Sequence, residues 1–518
     1  MNRTKTITLE LQVADQSLSG RAHDEVGASR EFAGRLGLMH TIDELLAQPG
    51  TAKENSMNPL DTMFTTDEAS ALRRLIGGDV IGPEDAGWDA ARLTFNLRVD
   101  QRPALIAVPG SREEVATVVR FAREAGLRVA PQRTGHNAEP LGSMERTILL
   151  KTNRLDRVHV DPVARRARVG SGARWEDVVP VASEHRLAAL HGSTPDVSIT
   201  GYSLGGGMGW YARKHGLAAN SVTAIELVTA DGSIHIVDEN HQPELFWALR
   251  GGGGNFGVVT AMEFELFPVA EVYAGVLFFP FERAADVLHA WHQWTAEAPE
   301  EVTSVGRLLQ FPPLPEVPEP LRGNSFAVVE AVFLGTQAEG EALLEPLRKL
   351  VPVIDTFAMQ PPGGIAELHM DPRDPVPSLG DHNCVGELDA AAIEDLVAAA
   401  GPGSESSLVS VELRHMGGAL ARADRAAGAV ATMPGSYISY AVGIAADPET
   451  TAKTEADLAR VMAALTPYES GRYFNFVERT AAAESFFDPL TAARLLDVKQ
   501  TYDPTHLFQA NHELGAGR

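Results

Sequence analysis

The chain has a single cysteine, Cys384, among 518 residues, which excludes an intrachain disulfide framework and a cysteine-based zinc site. No apolar run approaches the about 18 residues of a membrane span, so no membrane partner is expected. Basic residues are scarce, 44 Lys plus Arg against 69 Asp plus Glu. The resulting formal charge of -25 at pH 7 repels phosphate backbones, so no nucleic acid partner is expected either. The start, MNRTKTITLELQV, has no apolar signal core, and the cytoplasm is the default location. The 16 histidines form no HExxH and no Cys/His cluster, so no metal site is read. His289 and His292, beside Trp291 and Trp294 on a predicted helix, read as packing or surface groups. Internal repeats are absent, and nothing fixes an oligomeric state.

What is present is a globular composition, 44% hydrophobic and 22% charged, long enough for two to four domains. Residues 1–55 read as a small N-terminal α/β extension. Ile7, Leu9 and Leu11 alternate as in a strand, Arg30 to Leu46 has a roughly helical period, and the polar QPGTAKENSMNP is a linker. From about Gly82 the pattern sharpens. The apolar run at 104–108 is a strand, Ser111 with Glu114 is a capping box, Val115, Val118, Val119 and Ala122 face a core, and the next strand covers 127–130. This βαβ unit runs into PQRTGHN. Strands follow at 148–151, 158–160 and 167–169, then a helix at 174–186, a hairpin around Asp231-Gly232 and a strand at 258–266. One βαβ unit followed by hairpins is an α+β pattern. Residues 271–467 mix strands such as 328–333 with Ala-rich helices at 392–400 and 453–465, and proline clusters at 312–320 and 361–377 mark surface loops.

Three segments carry candidate chemistry. Thr134-Gly135-His136-Asn137 ends the βαβ strand, where small residues expose backbone N–H groups and a histidine can meet a ligand. The bland alternative is a histidine in a surface loop. His191 to Val197 leads into a segment with five glycines in residues 201–209, costly to order unless tight turns or close approach need them. The third is Arg250 to Gly257, which feeds the 258–266 strand. Gly207, Gly209 and Ala212 satisfy a dinucleotide fingerprint with Glu226 beyond, but no strand precedes it and a hairpin follows, so a Rossmann reading is weak.

In order, these motifs together with Tyr473-Phe474-Asn475-Phe476 and the tail YDPTHLF resemble the berberine-bridge-enzyme-like FAD-linked oxidases of the vanillyl-alcohol-oxidase (PCMH-type) fold. The resemblance covers about residues 90–270 and 468–518. It implies a two-subdomain FAD-binding domain (83–270), a substrate domain with an antiparallel sheet backed by helices (271–467), and a C-terminal segment (468–518) that returns to the FAD domain. It implies covalent FAD through His136 only, in a cradle of Arg133, Thr134, Gly135 and Asn137, because Thr194 stands where many relatives carry a second, cysteinyl link. Further implied FAD contacts are Asp196, Val197, Ser198, Gly201, Tyr202, Gly205, Gly206, Gly207 and Gly209, then Asn255, Gly257 and Val259, and finally Asn475 and Asn511 beside His512. Val197 matches a position where valine accompanies oxygen reactivity in that family.

The implied activity is oxidation of a hydroxyl-bearing small molecule by hydride transfer to flavin N5, with O2 as acceptor giving H2O2. Tyr202 is expected to donate a hydrogen bond to the flavin, and Tyr473, the phenol left beside Phe476, to act as base. A phenol of ordinary pKa, about 10, needs its phenolate stabilised for that role. The alternatives are amine or C–C-bond-forming oxidation on the same scaffold, a dehydrogenase with another acceptor, a nicotinamide dehydrogenase using Gly207 and Gly209, and a non-catalytic flavin-binding protein.

Overall fold

The structure is a computed structural model that describes residues 7–14, 17–24, 29–33, 66–315, 317–423 and 426–515. It divides into two units, Met1–Met63 and Phe64–Arg518. In the first, strands Ile7–Ala14, Ser17–Asp24 and Ser29–Ala33 form an antiparallel three-stranded sheet. The alternation at Ile7, Leu9 and Leu11 is therefore a strand. The helix expected from Arg30 is not present at its start: Phe32 pairs with Gly20 instead, so the hairpin ladder overrides the local period. The rest of that run and the linker lie outside the described residues.

The second unit is α+β and holds three larger sheets. In the first, strand order is Asp79–Ile81, Leu105–Val108, Thr147–Lys151, Arg128–Gln132, so Thr147–Lys151 is inserted between the two strands of the expected βαβ unit. The sheet thus begins before residue 83. The crossover helix is Arg112–Glu124, with Ser111 Oγ accepting from Glu114 N. Only half of the capping box forms. The Glu114 carboxylate accepts instead from Gly77 N (2.8 Å) and Gly110 N (2.7 Å), tying the helix to the chain before it.

The second sheet is antiparallel, ordered Ile234–Val237, Val222–Val228, Val258–Glu265, Arg166–Gly170, Val158–Asp161. Glu226 is buried in mid-strand and paired with Arg112 (2.8 Å) and Arg168 (3.1 Å), so it serves packing and not ribose recognition. Gly207 leads only to a four-residue helix, Ala212–His215. No Rossmann unit forms here.

The third sheet has nine strands and two unlike faces. Odd-numbered residues such as Val329, Val411, Leu413 and Ala441 pack with Val287, Trp291, Leu396 and Val461 of helices Ala284–Glu297, Ala390–Ala400 and Pro448–Leu465 in one apolar core. The opposite face carries Arg307, Glu412, Tyr440 and His382 in one cross-strand row, because Arg307 pairs with Glu412, Glu412 with Tyr440 and Tyr440 with His382. Strand alternation alone produces this division.

The C-terminal segment returns to the first sheet, where Val129 bridges Phe508 and Gln509 N donates to Val129 O. Asp503, fully buried, organises the return. It accepts from Lys499 Nζ (2.8 Å), Leu507 N (2.7 Å) and Phe508 N (3.1 Å). Asp503→Ala leaves the Lys499 ammonium unpaired in the interior and is expected to lower unfolding free energy by about 3–5 kcal/mol, read from urea denaturation.

Candidate functional site

The glycine segment is shaped by partners that need its missing side chains. Ser198 caps the short helix Ile199–Leu204, and the chain then turns at Gly207 with φ +79°. A Cβ on Gly207 would lie 2.5 Å from the Tyr202 ring, and one on Gly205 would lie 1.8 Å from Asn475 Oδ1. Gly209 abuts the His191 carbonyl and Gly257 the Val228 carbonyl, so these two serve chain–chain contact. Asn255 is fully engaged by its own chain: its amide donates to Gly252 O and His512 O and accepts from Leu514 N. His512 is buried against Phe474 and Phe486.

Tyr473 locks this arrangement. Its hydroxyl oxygen accepts from Gly207 N (3.0 Å), Met208 N (2.9 Å) and Asn475 Nδ2 (3.0 Å). Burial pushes the phenol up to about 12 even against those three donors. The expected base is thus a neutral, inward-facing anchor of the glycine loop, because its oxygen is committed to the chain. Tyr202 differs. Its hydroxyl is buried without a hydrogen-bond partner, and burial, then Tyr473, raises it well above the ordinary range, so it stays a neutral donor.

His136 lies in a recess, stacked on Phe95 with ring centroids 3.9 Å apart. Nδ1 meets Thr134 Oγ1 at 2.9 Å, while buried Nε2 has no hydrogen-bond partner and stands 3.8 Å from Asp196 Oδ1. Burial pushes the imidazole down to about 4, against the opposing charge of Asp371, so it is neutral near pH 7. Asn137 Oδ1 and Thr200 Oγ1 are likewise buried without partners. Asn137 donates to Asn475 O, and Asn475 Nδ2 also donates to Tyr202 O, which joins the first motif, the second and the C-terminal segment.

The same region crowds cations. Arg133 Nε donates to Gly172 O (2.7 Å), and its guanidinium is lowered by burial and then by Arg174. Lys151 is 7% exposed, and burial, then Arg133, pushes it down to about 8. Lys151 and Arg174 carry no signal in the sequence: Lys151 closes an apolar strand, and only the structure shows that strand wholly buried. Arg174 crowds Arg133 and Arg133 crowds Lys151, and such cations beside partnerless buried polar atoms suit a ligand with a diphosphate and a polar ring system. A flavin dinucleotide fits them.

The ionic face of the nine-stranded sheet closes the site. His369 Nδ1 meets Glu330 Oε2 at 2.5 Å and Nε2 meets Glu412 Oε2 at 2.9 Å. Burial and Arg307 oppose its charge, but Glu330, Asp371 and Glu412 outweigh them and raise it to about 9. Arg414 pairs with Glu412 (2.8 Å), reaches Ser193 Oγ (3.3 Å) and lies over the Phe476 ring. Asp371 accepts from Thr194 Oγ1 and from Ser193 Oγ. The 361–377 stretch, expected as a surface loop, therefore buries His369 and spans the site. Ser193, Trp210, Thr303, Val305 and Arg414 line a cavity here. Cys384, distant in sequence, packs with Met208 and Tyr473, and burial pushes its thiol up to about 12.

Tyr473→Phe leaves the Gly207 and Met208 N–H groups without an acceptor and is expected to cost about 1–3 kcal/mol in denaturant unfolding. The stability that the parent holds over His369→Gln should be greatest below pH 6.5 and fall as pH rises through about 9, since the folded-state pKa is raised. A flat difference across that range would contradict the assigned charge.

Residues 103–238 match the family described as FAD binding domain. The chain is 40% identical over 192 residues to (R)-6-hydroxynicotine oxidase of Paenarthrobacter nicotinovorans, covering 37% of this chain and 42% of that one. It is 33% identical over 274 residues to xylooligosaccharide oxidase of Thermothelomyces thermophilus, covering 51% and 52%. The chain thus spans about half or less of the length of these curated relatives. Its fold matches the crystal structure of 6-hydroxy-D-nicotine oxidase from Arthrobacter nicotinovorans with TM-score 0.74 at 27% identity, covering 84% of this chain and 98% of that one. Residues 103–238 are thus an FAD binding domain, and the chain around it shares the fold of 6-hydroxy-D-nicotine oxidase and of berberine bridge enzyme.

Proposed function

We propose that this chain is an FAD-dependent oxidase that converts a hydroxyl-bearing small molecule to its carbonyl product. The observation that carries the reading is His136, neutral in its recess with Nε2 free, beside the crowded cations Arg133, Arg174 and Lys151. Relatives named as oxidases of hydroxynicotine and of xylooligosaccharides support the reaction class. When bound, FAD supplies the two-electron acceptor that takes hydride from the substrate carbon and passes the electrons to O2, giving H2O2.

The chain's own residues bind, orient and hold protons. Arg133, Arg174 and Lys151 would hold the diphosphate. The neutral His136 imidazole, oriented by Thr134 Oγ1, would carry the covalent bond to the cofactor. Thr194, committed to Asp371, offers no thiolate for a second bond, so attachment is single. The neutral Tyr202 hydroxyl is a donor for developing negative charge on the reduced ring. Asn137 and Asn475 fix the loop edges, and Gly201 with Ser198 brings backbone close. Val197, half-buried at the edge of the core around Trp175, leaves the approach of O2 apolar. The substrate enters beside Trp210 and Arg414.

The test is the absorption spectrum of the purified protein before and after acid precipitation, followed by a screen of hydroxylated compounds with peroxide detection. A yellow pellet from the parent and a colourless pellet from His136→Ala are expected. Covalent flavin retained in His136→Ala overturns the assignment of the linking residue, and failure to take up FAD at all overturns the function.

A further inference from the structure

With Tyr473 committed to the glycine loop and phenylalanine at 476, the motif next to the site offers no proton acceptor. The opposite wall does. Tyr440, on strand Tyr437–Ile444, packs its ring on Phe476 with centroids 5.0 Å apart, on the ionic face of the sheet. Its hydroxyl donates to Glu478 Oε1 at 2.6 Å, and Glu478 Oε2 accepts from Gly380 N at 3.1 Å. The strand opposite leaves room for this pair by having no side chain: a Cβ on Gly380 would lie 2.6 Å from Tyr440 Oη and 2.7 Å from Glu478 Oε1. Tyr440, Phe476 and Glu478 are each only half-buried, so they border open space.

We propose that Tyr440 is the catalytic residue that receives the proton of the substrate hydroxyl, with Glu478 acting through it as the final proton acceptor; this rests on the oxidase reading above. The step balances. The substrate O–H proton passes to Tyr440 Oη as the Tyr440 proton passes to Glu478 Oε1. The C–H bond breaks and its electron pair leaves as hydride to the flavin, and the carbon–oxygen bond becomes a carbonyl. Glu478 suits the task because burial lifts its carboxyl above the ordinary range, with Glu139 and Asp381 adding to the lift, although the Tyr440 and Gly380 hydrogen bonds oppose it. Tyr440 itself stays protonated between turnovers, raised by burial and then by Glu478. The charged and titratable groups facing the pair are Glu412 and His382 across the strands, Asp371, Glu139, Asp381, and Arg414 beyond Phe476.

The experiment follows flavin bleaching when the FAD-loaded full chain meets xylobiose, glucose oligomers and simple secondary alcohols without oxygen, from mildly acid to alkaline pH. Tyr440→Phe should slow bleaching by about 10²- to 10⁴-fold with half-saturation nearly unchanged. Gly380→Ala keeps every functional group but parts the pair, and should slow it in the same direction. Glu478→Gln should flatten the limb of the pH profile that rises toward neutrality, and Glu478→Asp should restore it at a shifted pH. Bleaching by Tyr440→Phe at the parental rate, or an unchanged profile in Glu478→Gln, overturns the proposal. A second readout needs no substrate: infrared titration of the protein should show a protonated-carboxyl band that Glu478→Gln removes and that Tyr440→Phe and Gly380→Ala both shift. If no hydroxylated compound bleaches the parent, the oxidase reading fails, and an infrared band untouched by Tyr440→Phe overturns the pair independently.

Discussion

The site depends on one buried charge, the His369 imidazolium held between Glu330 and Glu412. An ion taken from water into a protein interior costs several kcal/mol unless it is paired and hydrogen-bonded. Here each charge has a partner of opposite sign: Arg307 on Glu330, His369 between two glutamates, Arg414 on Glu412. None can leave without stranding the next. The cluster therefore fixes the 361–377 loop on the sheet. Through Asp371 on Thr194 and Arg414 on Ser193, it fixes the sheet against the motif that follows His191.

The nine-stranded sheet makes that possible by being two-faced. One face forms an apolar core with the helices, which supplies the main driving force for this half of the unit. The opposite face, on strands such as Leu408–His415, is left to carry charge and hydroxyl groups, and Arg414 on it reaches Ser193 beside the glycine-rich segment. Those segments answer with space. Gly205 and Gly207 admit Asn475 and the Tyr202 ring, while Tyr473 pins the loop through two backbone N–H groups. The result is a recess whose walls come from four distant stretches of chain, with neutral His136 on one side and the ionic face on the other.

The parts of this site that could be read from sequence are those whose chemistry is local. Thr134 to Asn137 announces itself because glycine and a histidine follow directly on a βαβ strand, and the five glycines of 201–209 demand a reason for their ordering cost. Arg133 was visible in the same way. Lys151 was not: a basic residue after an apolar strand looks like the point where the chain reaches solvent, and only the packing of Arg133 and Gln132 around it shows that it stays inside. His369 was hidden by its prolines, which mark a turn-rich segment but do not say which side of it faces water.

Sequence alone determined the α+β class and the order of the motifs, because each rests on periodicity or on residues that are neighbours in the chain, and the FAD domain followed from the resemblance those motifs carry. Tertiary structure decided the rest. It turned Tyr473 into an anchor, brought Tyr440 and Glu478 together across Gly380, made Glu226 a packing carboxylate and buried His369 as a cation. Those outcomes depend on which groups share a low-dielectric space after folding, and pairing partners dozens to hundreds of residues apart leave no local trace in the sequence.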